Sequence, residues 1–558
     1  MLDNLPGLSG LRPKRVALLV TLLAFSVLSL PPRSFSQTVV ATIPVGSNPN
    51  AVAVNTVTNK IYVSNGNSIF VTVIDGATNT TTTADSVQPG PLAVNSTTNT
   101  IYAVNELTNN VTVINGTNNS SQTVPAGSFP RAVGVNSATN KIYVADQGDI
   151  NFASVVTVID GATLATSTVP AALEPTELAV NPFTNKVYVI NYLRNNNYPS
   201  QITAIDGSNN TSTTFGTLSN PSRLALNAVT DKVYITNAGD ANNPSTVTVV
   251  DGSNNSTSSI AVGIDPFPVA VNPVTNKIYV GNFDGTVTVI DGNTDETTTV
   301  PVDPDPVAIA VNPVTNQIYV VTAGQLDPVF IPSSIQVING NTNTVTTITQ
   351  GTNQPTAIAV NSVTGMVYVT NTGENTVTVI DGGTGNAGLN LAVAPGGSDT
   401  ATVTAGSEAT YALAIGGLGM SGTATLTCSG APDGATCTVP ASITVDGNDA
   451  MPFEVSVSTT ARTNAALTPA HSRFTWAWAV GLLGAVIIST GRTRRSLHAL
   501  SWLPLLLVVF LASCGGGSGG NGGGGAGSGG TPVGTYPLTV KATMGNTTQS
   551  TNLKLIVK

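Results

Sequence analysis

Side chains able to carry acid–base, nucleophilic or metal chemistry are sparse in these 558 residues. The two histidines, His471 and His498, both flank an apolar stretch far along the chain. Everything before residue 471 therefore lacks a His general base, a Ser-His-Asp triad and a His-ligated metal. Carboxylates recur in rhythm, as Asp-Gly pairs beginning at Asp75, Asp160, Asp206, Asp251, Asp291 and Asp381. A ring of carboxylates could suggest metal, but Asn115-Gly116 and Asn339-Gly340 stand at two equivalent places. A ligand carboxylate would not be replaced in two copies. Turn chemistry would allow it, since both pairs accept the positive φ of a tight hairpin. No pair of acids breaks the repeat to mark a catalytic site, and neither metal nor cofactor is expected.

The Asp-Gly pairs end a longer unit that recurs eight times: a short Ala/Val run, Asn, a Thr-Asn turn, Ile-Tyr-Val, then Val-Thr-Val-Ile-Asp-Gly. The Asn closing the first run stands at 55, 95, 136, 181, 227, 272, 312 and 361, a spacing of 40 to 49 residues. That period suits one four-stranded propeller blade per repeat. Three strands are plain in each copy, with a weaker, Thr-rich fourth such as Thr297–Pro301. The Val-rich runs leave few polar gaps, as expected of strands covered on both faces by neighbouring blades. Small Ala/Val strands suit the crowded centre. The tyrosines at 62, 102, 143, 188, 234, 279, 319 and 368 are read as core between blades. The eighth copy has no fourth strand of its own, and Thr38–Val45 resembles an orphan one, so the N-terminal strand should close the ring.

The repeated Ile-Tyr-Val-x-Asn with Val-Thr-Val-Ile-Asp-Gly resembles the YVTN-repeat β-propellers, a signature nearly spelled by Val367-Tyr368-Val369-Thr370-Asn371. The resemblance implies the fold, and an exported or surface-layer-associated binding or scaffold module. Related propellers include lactonase-like enzymes and quinoproteins, but none of their catalytic sets can be placed on this chain.

Composition agrees with an exported β protein. Only 9% of residues are charged, and Thr and Asn take the polar role. A net charge of −9 argues against nucleic acid, whose backbone calls for a basic stripe. Arg12, Lys14 and Arg15 precede the apolar run Val16–Leu30, and Ser34-Phe35-Ser36 offers small residues before Gln37, so residues 1–36 read as a signal peptide. The propeller takes residues 37–385.

Beyond it, residues 386–462 carry short strands with Gly, Pro and Ser turns in an Ig-like sandwich pattern, lacking the Trp of true immunoglobulin domains. Cys428 and Cys437, nine apart, are expected to form a disulfide in an oxidising compartment. The missing hairpin is found at 531–558, so an insertion splits the domain. Residues 463–514 hold two apolar segments (474–490, 499–513) around Arg492, Arg494 and Arg495, arginines that should stay cytoplasmic. Gly-rich residues 515–530 form a linker. The fold expected is thus all-β: an eight-bladed β-propeller closed by the N-terminal strand, followed by an Ig-like β-sandwich interrupted by a membrane hairpin.

The function expected is an exported, membrane-anchored cell-envelope protein, its propeller extracytoplasmic and binding an envelope protein or glycan without catalysis. The alternative is a propeller hydrolase or lactonase-like enzyme using Asp/Glu or calcium. Loops between second and third strands are long in copies three, four, five and seven (146–154, 191–200, 237–245, 323–333). On that rim Phe152, Tyr192, Arg194, Tyr198 and Phe330 are the candidate ligand-binding residues.

Leu511-Ala512-Ser513-Cys514 resembles a bacterial lipobox, making Cys514 a lipidation candidate, though an internal one. Either the chain is cut before Cys514, or the segments remain an uncut hairpin. An internal lipobox would have to be recognised after a preceding membrane segment, which favours the hairpin. Mass spectrometry of the envelope fraction is expected to show an intact, unmodified peptide through Ser513-Cys514; a diacylated Cys514 terminus would show processing instead.

Overall fold

The computed structural model describes residues 37–148, 154–193, 199–240, 243–325, 330–349, 351–383, 388–394, 396–447, 450–462 and 530–558. Residues 1–36, read above as a signal peptide, both apolar segments, Cys514 and residues 515–529 lie outside the described residues. No helix among the described residues is long and apolar enough to cross a membrane.

From Thr38 to Asp381 the strands make eight four-stranded antiparallel sheets. In the first, Pro49–Asn55, Lys60–Asn65, Phe70–Asp75 and Thr81–Asp85 follow in chain order. The first strand of each sheet touches the first strand of the next, and Pro355–Val360 of the eighth returns to Pro49–Asn55. The sheets therefore form a closed ring with their first strands innermost, a β-propeller-like fold, and are called blades 1 to 8 below. Blade 8 takes its outer strand from the N-terminus: Thr38–Pro44 pairs antiparallel with Thr376–Asp381. Joining the two ends of the ring removes two open sheet edges. Between blades the core is aliphatic, with the repeated tyrosine fully buried in every copy.

Neighbouring blades are tied by a ladder of asparagines. The Asn ending each inner strand uses its Oδ1 on its own turn, accepting the Val57 and Thr58 N–H groups at Asn55. Its Nδ2 donates to the next blade's turn Asn: Asn55 to Asn99 (2.9 Å), Asn95 to Asn140, Asn136 to Asn185 and Asn272 to Asn316 (each 2.8 Å). Asn361 of blade 8 donates to Asn59 of blade 1 at 2.8 Å, closing the circle. The donor place suits an amide, which accepts through Oδ1 and donates through Nδ2, and excludes an ionised carboxylate, which only accepts. The acceptor place tolerates Asp, and Asp231 receives Asn181 at 2.5 Å. One rung is missing: blade 8 has Gly365 at the acceptor place, and the fully buried Asn312 leaves its Nδ2 without a partner.

In six of the eight blades the turn Asn is also why the Asp or Asn is followed by Gly (Asp231 takes its place at Gly252, and Tyr319 crowds Gly382), and the expectation of a tight positive-φ hairpin is corrected here. Positive φ falls on the turn Asn (Asn59, 53°) and on the fourth residue after Asp75 (Asn79, 60°), not on Gly76. Gly76 is required by close approach, since a Cβ there would lie 2.4 Å from Asn59 Oδ1. The Gly76 N–H donates to the Asn59 carbonyl at 2.9 Å, tying the two turns of a blade together. Asp75 is spent on its own turn, accepting from Ala77 N and from Thr78 N and Oγ1. These bonds, the Thr78 hydroxyl first, hold its carboxyl below the usual range.

The C-terminal domain packs two sheets over one apolar core that includes Leu413, Leu426, Val455, Leu538 and Leu555. One sheet orders Gly388–Val393, Glu408–Leu418, Ala450–Thr459 and Ala435–Thr438. The other orders Thr400–Val403, Thr547–Val557, Gly534–Met544, Ser421–Ser429 and Ser442–Asp446. The last hairpin thus pairs with strands that precede the insertion, and a Cys428–Cys437 disulfide joins the two sheets. Sequence reasoning missed Ser442–Asp446, a short strand beyond the Cys437 strand. Its end meets the propeller: Asp446 carbonyl accepts from Thr56 Oγ1, Gly447 carbonyl from Ser362 Oγ at 2.9 Å, and Asp446 Oδ2 from Ser96 Oγ at 3.2 Å.

The ladder has a direction that mutation can expose. Gly365→Asn supplies the missing acceptor at a φ of 75° that Asn tolerates, and is expected to raise unfolding stability by about 1 kcal/mol. Asn272→Asp destroys a donor and should cost more than about 2 kcal/mol, whereas Asn316→Asp, at an acceptor place, should cost far less. Urea unfolding of the three variants reads all these signs.

Candidate functional site

Antiparallel order gives the ring two unlike faces. Each inner strand ends, at its Asn, on a face made of Asn turns and Asp-Gly turns. It begins on the opposite face, which carries the loops between second and third strands and the connections between blades. The turn face is consumed by the ladder and by contacts with the C-terminal domain. The loop face varies from blade to blade, and the candidate site lies there.

At its centre, two inner-strand positions break the repeat. Four residues before the ladder Asn, four copies have Ala (51, 132, 308, 357) and two have Pro (91, 268), but blades 4 and 5 have Glu177 and Arg223. Arg223 Nη1 lies 3.4 Å from Glu177 Oε2, and its guanidinium carbon lies 4.5 Å from the Phe267 ring centroid of blade 6. Three successive inner strands therefore stack a carboxylate, a guanidinium and an aromatic face. Glu177 keeps 29% of its side chain exposed, yet the surrounding blades desolvate it and push its carboxyl up, Arg223 partly offsetting this. Next to it, Arg131 of blade 3 reaches Glu106 of blade 2 at 2.5 Å and Gln147 at 2.7 Å, and Gln147 reaches Glu174 at 3.4 Å. Such a belt offers bidentate donors, carboxylate acceptors and an aromatic platform to a polar ligand.

The long loops begin and end on the same face, and their bases are pinned by serines. Ser154 Oγ donates to Gln147 carbonyl at 2.7 Å and Ser245 Oγ to Ala238 carbonyl at 2.8 Å, while Ser200 Oγ accepts from Leu193 N at 3.1 Å. Phe152, Arg194 and Tyr198 lie outside the described residues. Tyr192 is half-buried against the core between blades 4 and 5, and its N–H donates to Glu174 carbonyl at 2.9 Å. Phe330 is 69% exposed on blade 7, three blades away, so the structure puts the two on one face without bringing them together. Ile69, Leu107, Leu173, Ile264 and Phe283 are also exposed on this face. A 470 Å³ cavity opens there between blades 6 and 7, lined by Phe283, Pro304, Asp305, Ala323, Gly324 and Gln325. Glu177, Arg223 and Phe267 were missed by motif reading. Comparing copies at fixed distance from the ladder Asn would have found the first two.

No protein-family model matches the chain, and no curated protein does. Among solved structures, a chain titled hydrazine synthase of Kuenenia stuttgartiensis is similar at 16% identity, over 55% of this chain and 96% of that one, with a TM-score of 0.42. At that level the likeness carries no argument about fold or function.

One group at a loop base titrates in an informative way. Where six copies have Asn at the end of the second strand, blade 3 has Asp146, fully buried, with Oδ2 accepting from Thr157 N at 3.0 Å and Thr157 Oγ1 at 2.6 Å. Burial outweighs these bonds and pushes its carboxyl from 3.8 to about 6. The folded state therefore holds a proton that the unfolded chain releases, and stability falls as pH rises from about 4 to about 6. Asp146→Asn should lack this fall, so its advantage over the parent grows across that window and then stays level, reaching roughly 1–3 kcal/mol. Thermal unfolding at pH 4 and pH 7 checks it.

Proposed function

We propose that this is an exported, membrane-anchored protein of the cell envelope whose YVTN-like propeller binds a protein or glycan through its loop face, without catalysis. The observation that carries the reading is the Glu177, Arg223 and Phe267 stack. Charged side chains replace Ala on the innermost strands only on the face where the long loops begin and end. A repeat built for structure alone has no use for a desolvated carboxylate there.

Placement of the C-terminal domain supports display of this face. The domain sits on the turn face and meets it through the ends of Ser442–Asp446 and Ala450–Thr459. Ala450–Thr459 then runs away for ten residues, about 33 Å at strand rise. At its far end Arg462 Nε donates to Thr531 carbonyl at 3.1 Å, so the two ends of the 463–529 insertion emerge side by side. If that insertion anchors the chain, the Ig-like domain is a spacer and the loop face points away from the membrane.

A second reading, the hydrolase or lactonase-like enzyme, draws on Glu177, a carboxyl raised by desolvation and so suited to hold a proton. One experiment separates the two. Full-length protein is screened on a glycan array and by cross-linking in the envelope, beside Arg223→Ala/Phe267→Ala. Binding by the parent with at least about tenfold loss in the variant is expected. Turnover in an ester and lactone panel that Glu177→Gln abolishes would favour the enzyme.

A further inference from the structure

We infer that the junction of propeller and C-terminal domain holds a second binding site, on the turn face, for a free single-chain amphiphile such as a fatty acid. The domain covers the ring unevenly, and in seven of the eight blades the residue after the ladder Asn records this; blade 7 has Pro313, although Val314 beside it lies against Gly419 of the domain. Blades 8, 1, 2 and 3 carry Ser362, Thr56, Ser96 and Ser137, whose hydroxyls bond to Gly447, Asp446 and the Met451 sulfur. Blades 4, 5 and 6 carry Pro182, Ala228 and Pro273, which have no side-chain polar atom. Over these three blades the domain stands off, and a 490 Å³ cavity opens in continuity with the interface.

Its lining follows the repeat. The residues before the ladder Asn in blades 3 to 6, Val135, Val180, Leu226 and Val271, form the floor. Phe183, Val229 and Val274, two places after it, form the outer wall, with Val229 and Val274 partly in solvent at 42% and 52%. Leu418 and Ala450 of the C-terminal domain form the roof. The lining is an arc over four successive blades, and no charged side chain belongs to it. The polar side chains are Ser137 and Asn390. The size is that of a small-molecule site, and such sites favour domain interfaces. An aliphatic chain fits the arc, and its polar head stays at the solvent-facing rim. The ends of the 463–529 insertion lie at the opposite end of Ala450–Thr459; with that insertion as the membrane anchor proposed above, on which this choice of occupant rests, a bilayer lipid is out of reach and a free amphiphile is the occupant.

Dodecanoic acid is the probe, titrated by calorimetry into full-length protein in phospholipid nanodiscs, with empty discs as the background. The parent is expected to bind saturably and to gain thermal stability. Ala228→Trp, which fills the cavity, and Val274→Glu, which sets a carboxylate at the exposed rim, should each weaken binding by at least about tenfold. Should Ala228→Trp fail to fold, Val274→Glu carries the test, because that side chain is half exposed. The proposal is overturned by the absence of saturable binding above the empty discs, by saturable binding that both folded variants retain, or by disc phospholipid bound at this site in place of dodecanoate. Because this site is on the turn face, Arg223→Ala/Phe267→Ala should leave dodecanoate binding unchanged, so the two sites fail or hold independently.

Discussion

The structure depends on one kind of contact, the buried side-chain hydrogen bond from the Asn of one blade to the turn Asn of the next. Apolar packing holds the blades together, but Val, Ile and Tyr surfaces are non-directional and would allow blades to slide or rotate. The amide ladder fixes register. Asn136 reaches Asn185 only when the inner strands of blades 3 and 4 end at the same level. An unmade bond in that buried layer costs more than a made one contributes, so error is penalised more than correctness is rewarded. The same contact explains smaller features, including the left-handed turn residue and the glycine that must make room for its side chain.

That constraint also divides the molecule into two unlike faces. On the turn face, the ladder amides other than that of Asn312, the Asp caps and the lysines reaching the next blade, such as Lys60 to Gly116 carbonyl at 2.9 Å, are engaged. Little can change there without loss of the ring, except the residue after the ladder Asn, which faces the C-terminal domain. The loop face has no such obligation. Its loops differ in length, its inner-strand ends differ in charge, and its exposed apolar side chains are not repeated. Variation collects where the ring does not need uniformity, and the proposed binding face is the one that carries it.

Much of the architecture was legible because the repeat is local. Each blade is a meander of four strands in chain order, so strand pairing follows from reading one copy, and the orphan Thr38–Pro44 strand implies closure. The C-terminal domain was harder. Ser442–Asp446 is five residues long, with one side chain fully buried, and leaves little apolar pattern. The glycine of Asp-Gly was assigned the wrong cause, because a close approach by Asn59 from another turn is invisible to a reading of consecutive residues. Glu177 and Arg223 went unremarked for a similar reason: they lie in different repeats, and only the ring makes them neighbours.

The sequence by itself therefore determined the number of repeats, the strand order within each and the N-terminal strand that closes the ring. These follow from periodicity and from the fourth strand that the eighth copy lacks. Tertiary structure alone decided which face the C-terminal domain occupies, how Glu177, Arg223 and Phe267 come to share one stack, and where the junction leaves a cavity. The physical reason is that such features join residues that local pattern does not connect. Their positions depend on the angle between blades and on the docking of one domain upon another, and both emerge only when the ring has closed.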